Sequence, residues 1–136
     1  MNNTFGIYCV DDDYYILQML GFQLRKYFKD SDVIIEMIED STETISVIER
    51  NIEHGVIPLL GIIDYQMPKI NGAEVIRMMK LKFPTMKFIM VSGNSNAMQV
   101  SNLVDEDSLS HYISKPWEET DLINKVNTCL PIQLQS

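Results

Sequence analysis

A chain of 136 residues has room for one hydrophobic core and little more, so a single domain is expected. Hydrophobic residues at 46% and charged residues at 22% are globular proportions and exclude intrinsic disorder. The formal net charge of −8 speaks against a nucleic-acid-binding surface, which needs a basic patch.

The first apolar run, residues 4–10, reads as a strand that stops at Asp11-Asp12-Asp13. With no basic flank before it and three acids after it, the run fits neither a secretory signal nor a membrane span, which makes the cytoplasm the expected location. Asp13 is placed to cap a helix over 14–29 whose inner face is Ile16, Met19, Leu20, Leu24, Tyr27 and Phe28. The β-branched run Val33 to Ile38 is the second strand. Ser41 is the expected cap of a helix reaching about residue 53, with Ile45, Ile48 and Ile52 inward.

Residues 58–63 form the third strand, which delivers Asp64 to the loop Tyr65-Gln66-Met67-Pro68. A helix starts near Asn71-Gly72, places Ala73, Ile76, Met79 and Phe83 on one side, and is stopped by Pro84. The fourth strand, 86–91, ends at Ser92-Gly93. A weakly patterned helix over about 95–104 and the acidic loop Asp105-Glu106-Asp107 follow. The fifth strand, 111–114, leads into Lys115-Pro116, and a last helix over 118–129 turns Leu122, Ile123, Val126 and Cys129 inward. The expected domain is 1–130, with 131–136 a short C-terminal tail. Cys9 and Cys129 lack metal-type spacing and read as buried free thiols.

Five strands alternating with five helices imply a doubly wound α/β fold: a parallel sheet with helices on both faces. In such a sheet the ligand site lies at the carboxyl ends of the strands. That edge collects Asp11, Asp12, Asp13, Asp64, Ser92 and Lys115. Several carboxylates at close quarters need a proton or a cation, and oxygen-only ligands suit Mg²⁺. A lysine opposite the acids is a point charge suited to a phosphoryl group, and a serine hydroxyl beside it is a hydrogen-bond donor. The chemistry implied is metal-assisted phosphoryl transfer to an aspartate.

Five segments in order, each at a strand end or helix start, make the chain recognisable: Val10-Asp11-Asp12, Ile63-Asp64-Tyr65-Gln66-Met67-Pro68, Asn71-Gly72, Val91-Ser92-Gly93 and Tyr112-Ile113-Ser114-Lys115-Pro116. Over about 4–130 the sequence resembles a response-regulator receiver domain of two-component signalling, of the chemotaxis-receiver-like kind. The resemblance implies a flavodoxin-like strand order, 2-1-3-4-5, and Asp64 as the phosphoacceptor. It implies that Asp11 and Asp12, with Asp64 and the backbone carbonyl of Gln66, hold Mg²⁺. Lys115 would pair with Asp64 at rest and with the phosphoryl group afterwards, while Ser92 and Tyr112 would form the switch.

The implied donor is a sensor histidine kinase or a phosphotransfer protein. The implied output is a face built from the fourth helix, fifth strand and last helix, including Met98, Val100 and Leu103, which binds a downstream protein target or makes a homodimer. Neither nucleic acid nor membrane is an expected direct partner. Such a chain is a signalling phosphoacceptor that catalyses its own phosphorylation and dephosphorylation, not an enzyme with an external substrate. The alternatives are a phosphorylation-independent pseudo-receiver module, or the receiver fragment of a longer regulator with a separate output domain.

Departures from the family pattern are Ser92 in place of the usual threonine and Trp117 where phenylalanine is common. Gln66 and Asn94 occupy positions that vary the phosphate lifetime. The stretch from Asp12 to Asp64 is a few residues longer than usual, placed around the second helix and the Glu53-His54-Gly55 turn. A dehalogenase-like phosphatase would need a second acid where Gln66 stands, and a flavodoxin would need a hydroxyl- and glycine-rich loop where Asp11 to Asp13 stand.

Overall fold

The computed structural model describes residues 3–93 and 109–135. Five parallel strands, β1 (Thr4–Val10), β2 (Val33–Ile38), β3 (Val56–Asp64), β4 (Lys87–Ser92) and β5 (His111–Ser114), form one sheet in the order β2-β1-β3-β4-β5. Parallel pairing needs crossovers, and these are supplied by α1 (Tyr14–Tyr27), α2 (Thr44–Glu53) and α3 (Gly72–Lys82), with α4 (Glu119–Thr128) closing the chain after β5. The expected strand order is the observed one. The helix expected over 95–104, Asn94, the acidic loop 105–107 and the output-face residues Met98, Val100 and Leu103 lie outside the described residues.

The pleat sorts the strands' side chains into two cores. Ile7 and Cys9 of β1, Leu60 and Ile62 of β3, and Ile89 and Val91 of β4 meet α1 and α4 on one face. Tyr8, Val10, Ile63, Phe88 and Met90 meet Ile48 of α2 and Ala73, Ile76 and Met79 of α3 on the other. Burial on both faces explains why these strands read as continuous apolar runs rather than alternating ones. β3 begins at Val56, two residues earlier than expected, and its register with β1 shifts between Gly6 and Ile7, which pair with Pro58 and Leu60. Pro58 has no N–H for the ladder, so the irregularity falls where the ladder is weakest.

Three helix details differ from the periodicity reading. In α1 the buried stripe is Leu17, Leu20, Gly21 and Leu24, and Met19 is exposed. Both candidate stripes share Leu20 and Leu24. Gly21 settles the rotation, because a Cβ there would stand 2.7 Å from Met37 Sδ on β2. Met19 then joins Tyr15 and Phe22 on the outer surface of α1. In α2 the half-buried Asn51 turns inward, its amide donating to the Tyr8 hydroxyl at 3.3 Å and to Glu36 at 3.2 Å, which rotates Ile52 to the surface. The cap is Asp40 rather than Ser41: its Oδ1 accepts from Thr42 N at 3.0 Å and opens a 3-10 turn (Ser41–Glu43) before α2, while Ser41 is buried. Aspartate and serine cap about equally well, so sequence alone does not separate neighbours.

The rotation of α1 is testable by equilibrium urea unfolding. Leu17→Ala is expected to lower stability by about 2–5 kcal/mol through the cavity it leaves. Met19→Ala should stay within about 0.5 kcal/mol of the native chain.

Candidate functional site

The carboxyl ends of β1, β3, β4 and β5 meet at one edge of the sheet. Asp11 follows β1 directly and is 1% exposed; its main-chain N–H donates to Ile38 O at 3.1 Å, which ties it to the end of β2. Asp64 is the last residue of β3 and is 4% exposed. Asp12 is exposed, and one carboxylate oxygen from each of Asp11, Asp12 and Asp64 lies within 4.8 Å of the others. Asp13 does not join them. Its Oδ1 caps α1, accepting from Tyr15 N at 2.9 Å and Ile16 N at 3.4 Å, while its own N–H donates to Asp11 Oδ1 at 2.8 Å.

Lys115 enters from the end of β5. Its Nζ lies 2.8 Å from Asp11 Oδ2 and 3.1 Å from Asp64 Oδ1, so it bridges both acids and stands nearer to Asp11. The pairing implied by the family pattern named Asp64 alone. The lysine is aimed by its backbone, whose N–H donates to Ser92 O at 2.9 Å, and a cis Lys115–Pro116 bond follows. Ser92 ends β4 fully buried, in register with Ser114. Tyr112 is half-buried and packs against the core on the α2–α3 side.

The β3–α3 loop carries Gln66, whose side chain is exposed. Both ends of the loop are fixed through Tyr65: its N–H donates to Val91 O, and its carbonyl accepts from Gly72 N at 2.8 Å. Asn71 caps α3 by accepting from Glu74 N at 3.0 Å. Gly72 is needed for space, because a Cβ would overlap the Asp64 carbonyl oxygen and come within 2.9 Å of Tyr65 Cα. The sequence marks Asn71-Gly72 as a helix start, but not this approach of α3 to the main chain of Asp64. Trp117, also beyond sequence reasoning, donates from Nε1 to Gln23 Oε1 at 2.8 Å and so fastens the Lys115 loop to α1.

Charge is concentrated here at low exposure. Burial pushes the Asp64 carboxyl up to about 6, and the neighbouring charge of Asp11 adds to the rise against the opposing pull of Lys115. Asp11 is also raised, first by burial, although bonds from Lys115 and from Asp13 N–H favour its ionised form. Burial works against the Lys115 charge, but its bonds to Asp11 and Asp64 prevail and its pKa is raised. Three carboxylates against one ammonium leave two formal negative charges in a cluster of oxygen ligands. That donor set fits a hard divalent cation such as Mg²⁺.

Comparisons with known proteins bear on the family and the fold. The family described as "Response regulator receiver domain" matches residues 7–127. The hydrogenase transcriptional regulatory protein HoxA of Bradyrhizobium diazoefficiens is 22% identical over 93% of this chain, and the chain spans 24% of that protein's length. A response regulator receiver domain protein from Clostridium thermocellum superposes with a TM-score of 0.76 at 25% identity, covering 91% of this chain and 92% of its own. A CheY-like receiver domain protein from Methanospirillum hungatei gives 0.74 at 25% identity, covering 93% of each chain.

The raised Asp64 pKa sets a pH dependence of stability in metal-free buffer. The folded state holds the proton more tightly than the unfolded chain, so Asp64 stabilises fully below its ordinary value of 3.8, and that contribution is lost as pH rises through about 6. Asp64→Asn cannot ionise. Its stability relative to the native chain is therefore expected to improve between about pH 4 and 7, by about 1–3 kcal/mol, as read from urea midpoints across that range.

Proposed function

Because the chain belongs to the response regulator receiver domain family of two-component signalling, we propose that Asp64 accepts a phosphoryl group from a sensor histidine kinase or a phosphotransfer protein. The observation that carries this reading is the Lys115 ammonium bridging two buried carboxylates, with a third carboxylate in reach. A structural ion pair has no use for the surplus of negative charge, and burying it is costly unless something offsets it. A phosphorylation-independent module would likewise gain nothing from keeping it.

In the proposed reaction an Asp64 carboxylate oxygen attacks phosphorus, the phosphorus–nitrogen bond to the donor histidine breaks, and the imidazole leaves with the bonding electron pair. An Asp64 pKa of about 6 leaves most of the carboxylate ionised near neutral pH, so it is a competent nucleophile. Asp11, Asp12, Asp64 and the main-chain carbonyl of Gln66 would hold Mg²⁺, which offsets the negative charge of the carboxylates and the incoming phosphoryl group. Lys115, nearer to Asp11 than to Asp64, can release Asp64 and follow the phosphoryl oxygens while staying paired. The same groups would position a water that attacks phosphorus, breaking its bond to the Asp64 oxygen and releasing inorganic phosphate, so the chain would act on itself rather than on an external substrate.

The Ser92 hydroxyl would then donate to a phosphoryl oxygen, and Tyr112 would turn further into the core. Phosphorylation would bias two arrangements of the surface around β5 and α4, to which a downstream protein or a second copy binds. Among the described residues no helix is long and apolar enough to cross a membrane. The proposed setting is the cytoplasm, where a kinase's phosphohistidine is accessible.

Incubation with Mg²⁺ and a small acyl phosphate, followed by intact-mass measurement, tests the reading. One added phosphoryl group is expected, with none in Asp64→Asn or in the presence of a chelator. Lys115→Met should slow the addition by about 100-fold, as expected for loss of a charge that acts in the transition state. An unmodified native chain, with a phosphohistidine donor also failing, would contradict the proposal.

A further inference from the structure

A second charged contact lies beside the acid cluster and takes no part in it. Lys69, on the loop between Asp64 and α3, places Nζ 3.1 Å from Asp40 Oδ2 on the segment after β2. Lys69 has φ +70°, a left-handed conformation that non-glycine residues seldom adopt. The chain turns tightly there, with Ile70 N–H donating to Pro68 O at 2.8 Å. Asp40 is fixed as a partner, because its other oxygen is engaged by Thr42 N at 3.0 Å and Thr42 Oγ1 at 2.7 Å. The two segments wall a cleft whose lining includes Asp12, Asp40, Met67, Pro68 and Lys69, so the pair shares a cleft with one member of the acid cluster.

We propose that the Lys69–Asp40 pair is a clasp that holds the β3–α3 loop to the end of β2 and so sets the main chain at Gln66 for divalent-cation binding. This rests on the reading of Gln66 as a main-chain ligand. Lys69 and Asp40 are thereby positioning residues, acting through the loop and not on the ion. Met67 and Ile70 pack against the core on the α2–α3 side and the loop's ends are hydrogen-bonded through Tyr65, whereas Gln66, Pro68 and Lys69 are exposed, so the Lys69–Asp40 pair supplies a tie on the loop's exposed side. A left-handed lysine is kept where its side chain reaches an acid across the cleft.

Charge and positioning predict opposite signs at Lys69, whereas at Asp40 both predict weaker binding, so Lys69→Met is the deciding variant. Removing a nearby cation should by electrostatics alone tighten Mg²⁺ binding, whereas removing a clasp should weaken it. Mg²⁺ binding to the full chain is measured by titration calorimetry for the native protein, Lys69→Met, Lys69→Arg, Asp40→Asn and Asp12→Asn. Asparagine at 40 keeps the capping acceptor for Thr42, so the fold is retained while the ion pair is lost.

Lys69→Met and Asp40→Asn are each expected to raise the Mg²⁺ Kd by up to about fivefold, the upper end for an exposed ion pair, with Lys69→Arg within about twofold of native. Lys69→Met binding Mg²⁺ as tightly as the native chain, or more tightly, would overturn the clasp and leave the acid cluster intact as a metal site. Asp12→Asn binding as tightly as native would overturn both the clasp and the cluster's role.

Discussion

The bridge from Lys115 to Asp11 and Asp64 is the contact on which the rest of this edge depends. Two carboxylates that are 1% and 4% exposed cannot both stay charged side by side without a counter-ion, and one ammonium at 2.8 and 3.1 Å serves both. It serves them incompletely, since burial still raises both carboxyl pKa values. The residue of negative charge, with Asp12 beside it, leaves a cluster of oxygen ligands whose chemistry fits a divalent cation.

The fold brings these groups together because the strands are parallel. Each of β1, β3, β4 and β5 ends at the same edge, so residues 11, 64, 92 and 115 become neighbours although they lie up to a hundred positions apart in the chain. Small local devices then aim them. Asp13 takes the helix cap and so leaves Asp11 to Lys115. Gly72 lets α3 press against the Asp64 main chain, and Trp117 fastens the Lys115 loop to α1 through Gln23.

Much of this was legible from residue order. The strands show as apolar runs because both faces of the sheet are covered, and a polar residue stands at or directly after the end of each because the edge faces solvent. Helix rotation was less legible. Ile16 and Leu17 both pack against the core, whereas Met19 of the expected face stands exposed and Gly21 packs against Met37 in its stead. Asp40 and Ser41 are both competent caps, so the choice depended on which one faces Thr42. The preference of Lys115 for Asp11, and the reach of Lys69 to Asp40, are distances across the fold that no local pattern encodes.

The central claim is that this edge converts one particular carboxylate, Asp64, into an acyl phosphate. Reductive trapping tests it most directly: the chain is treated with Mg²⁺ and phosphodonor, quenched with borohydride, which reduces an aspartyl phosphate to homoserine, and mapped by peptide sequencing. Homoserine is predicted at position 64 and at no other. Homoserine at 11 or 12 in place of 64, or none in a chain that has taken up phosphate, would contradict the account.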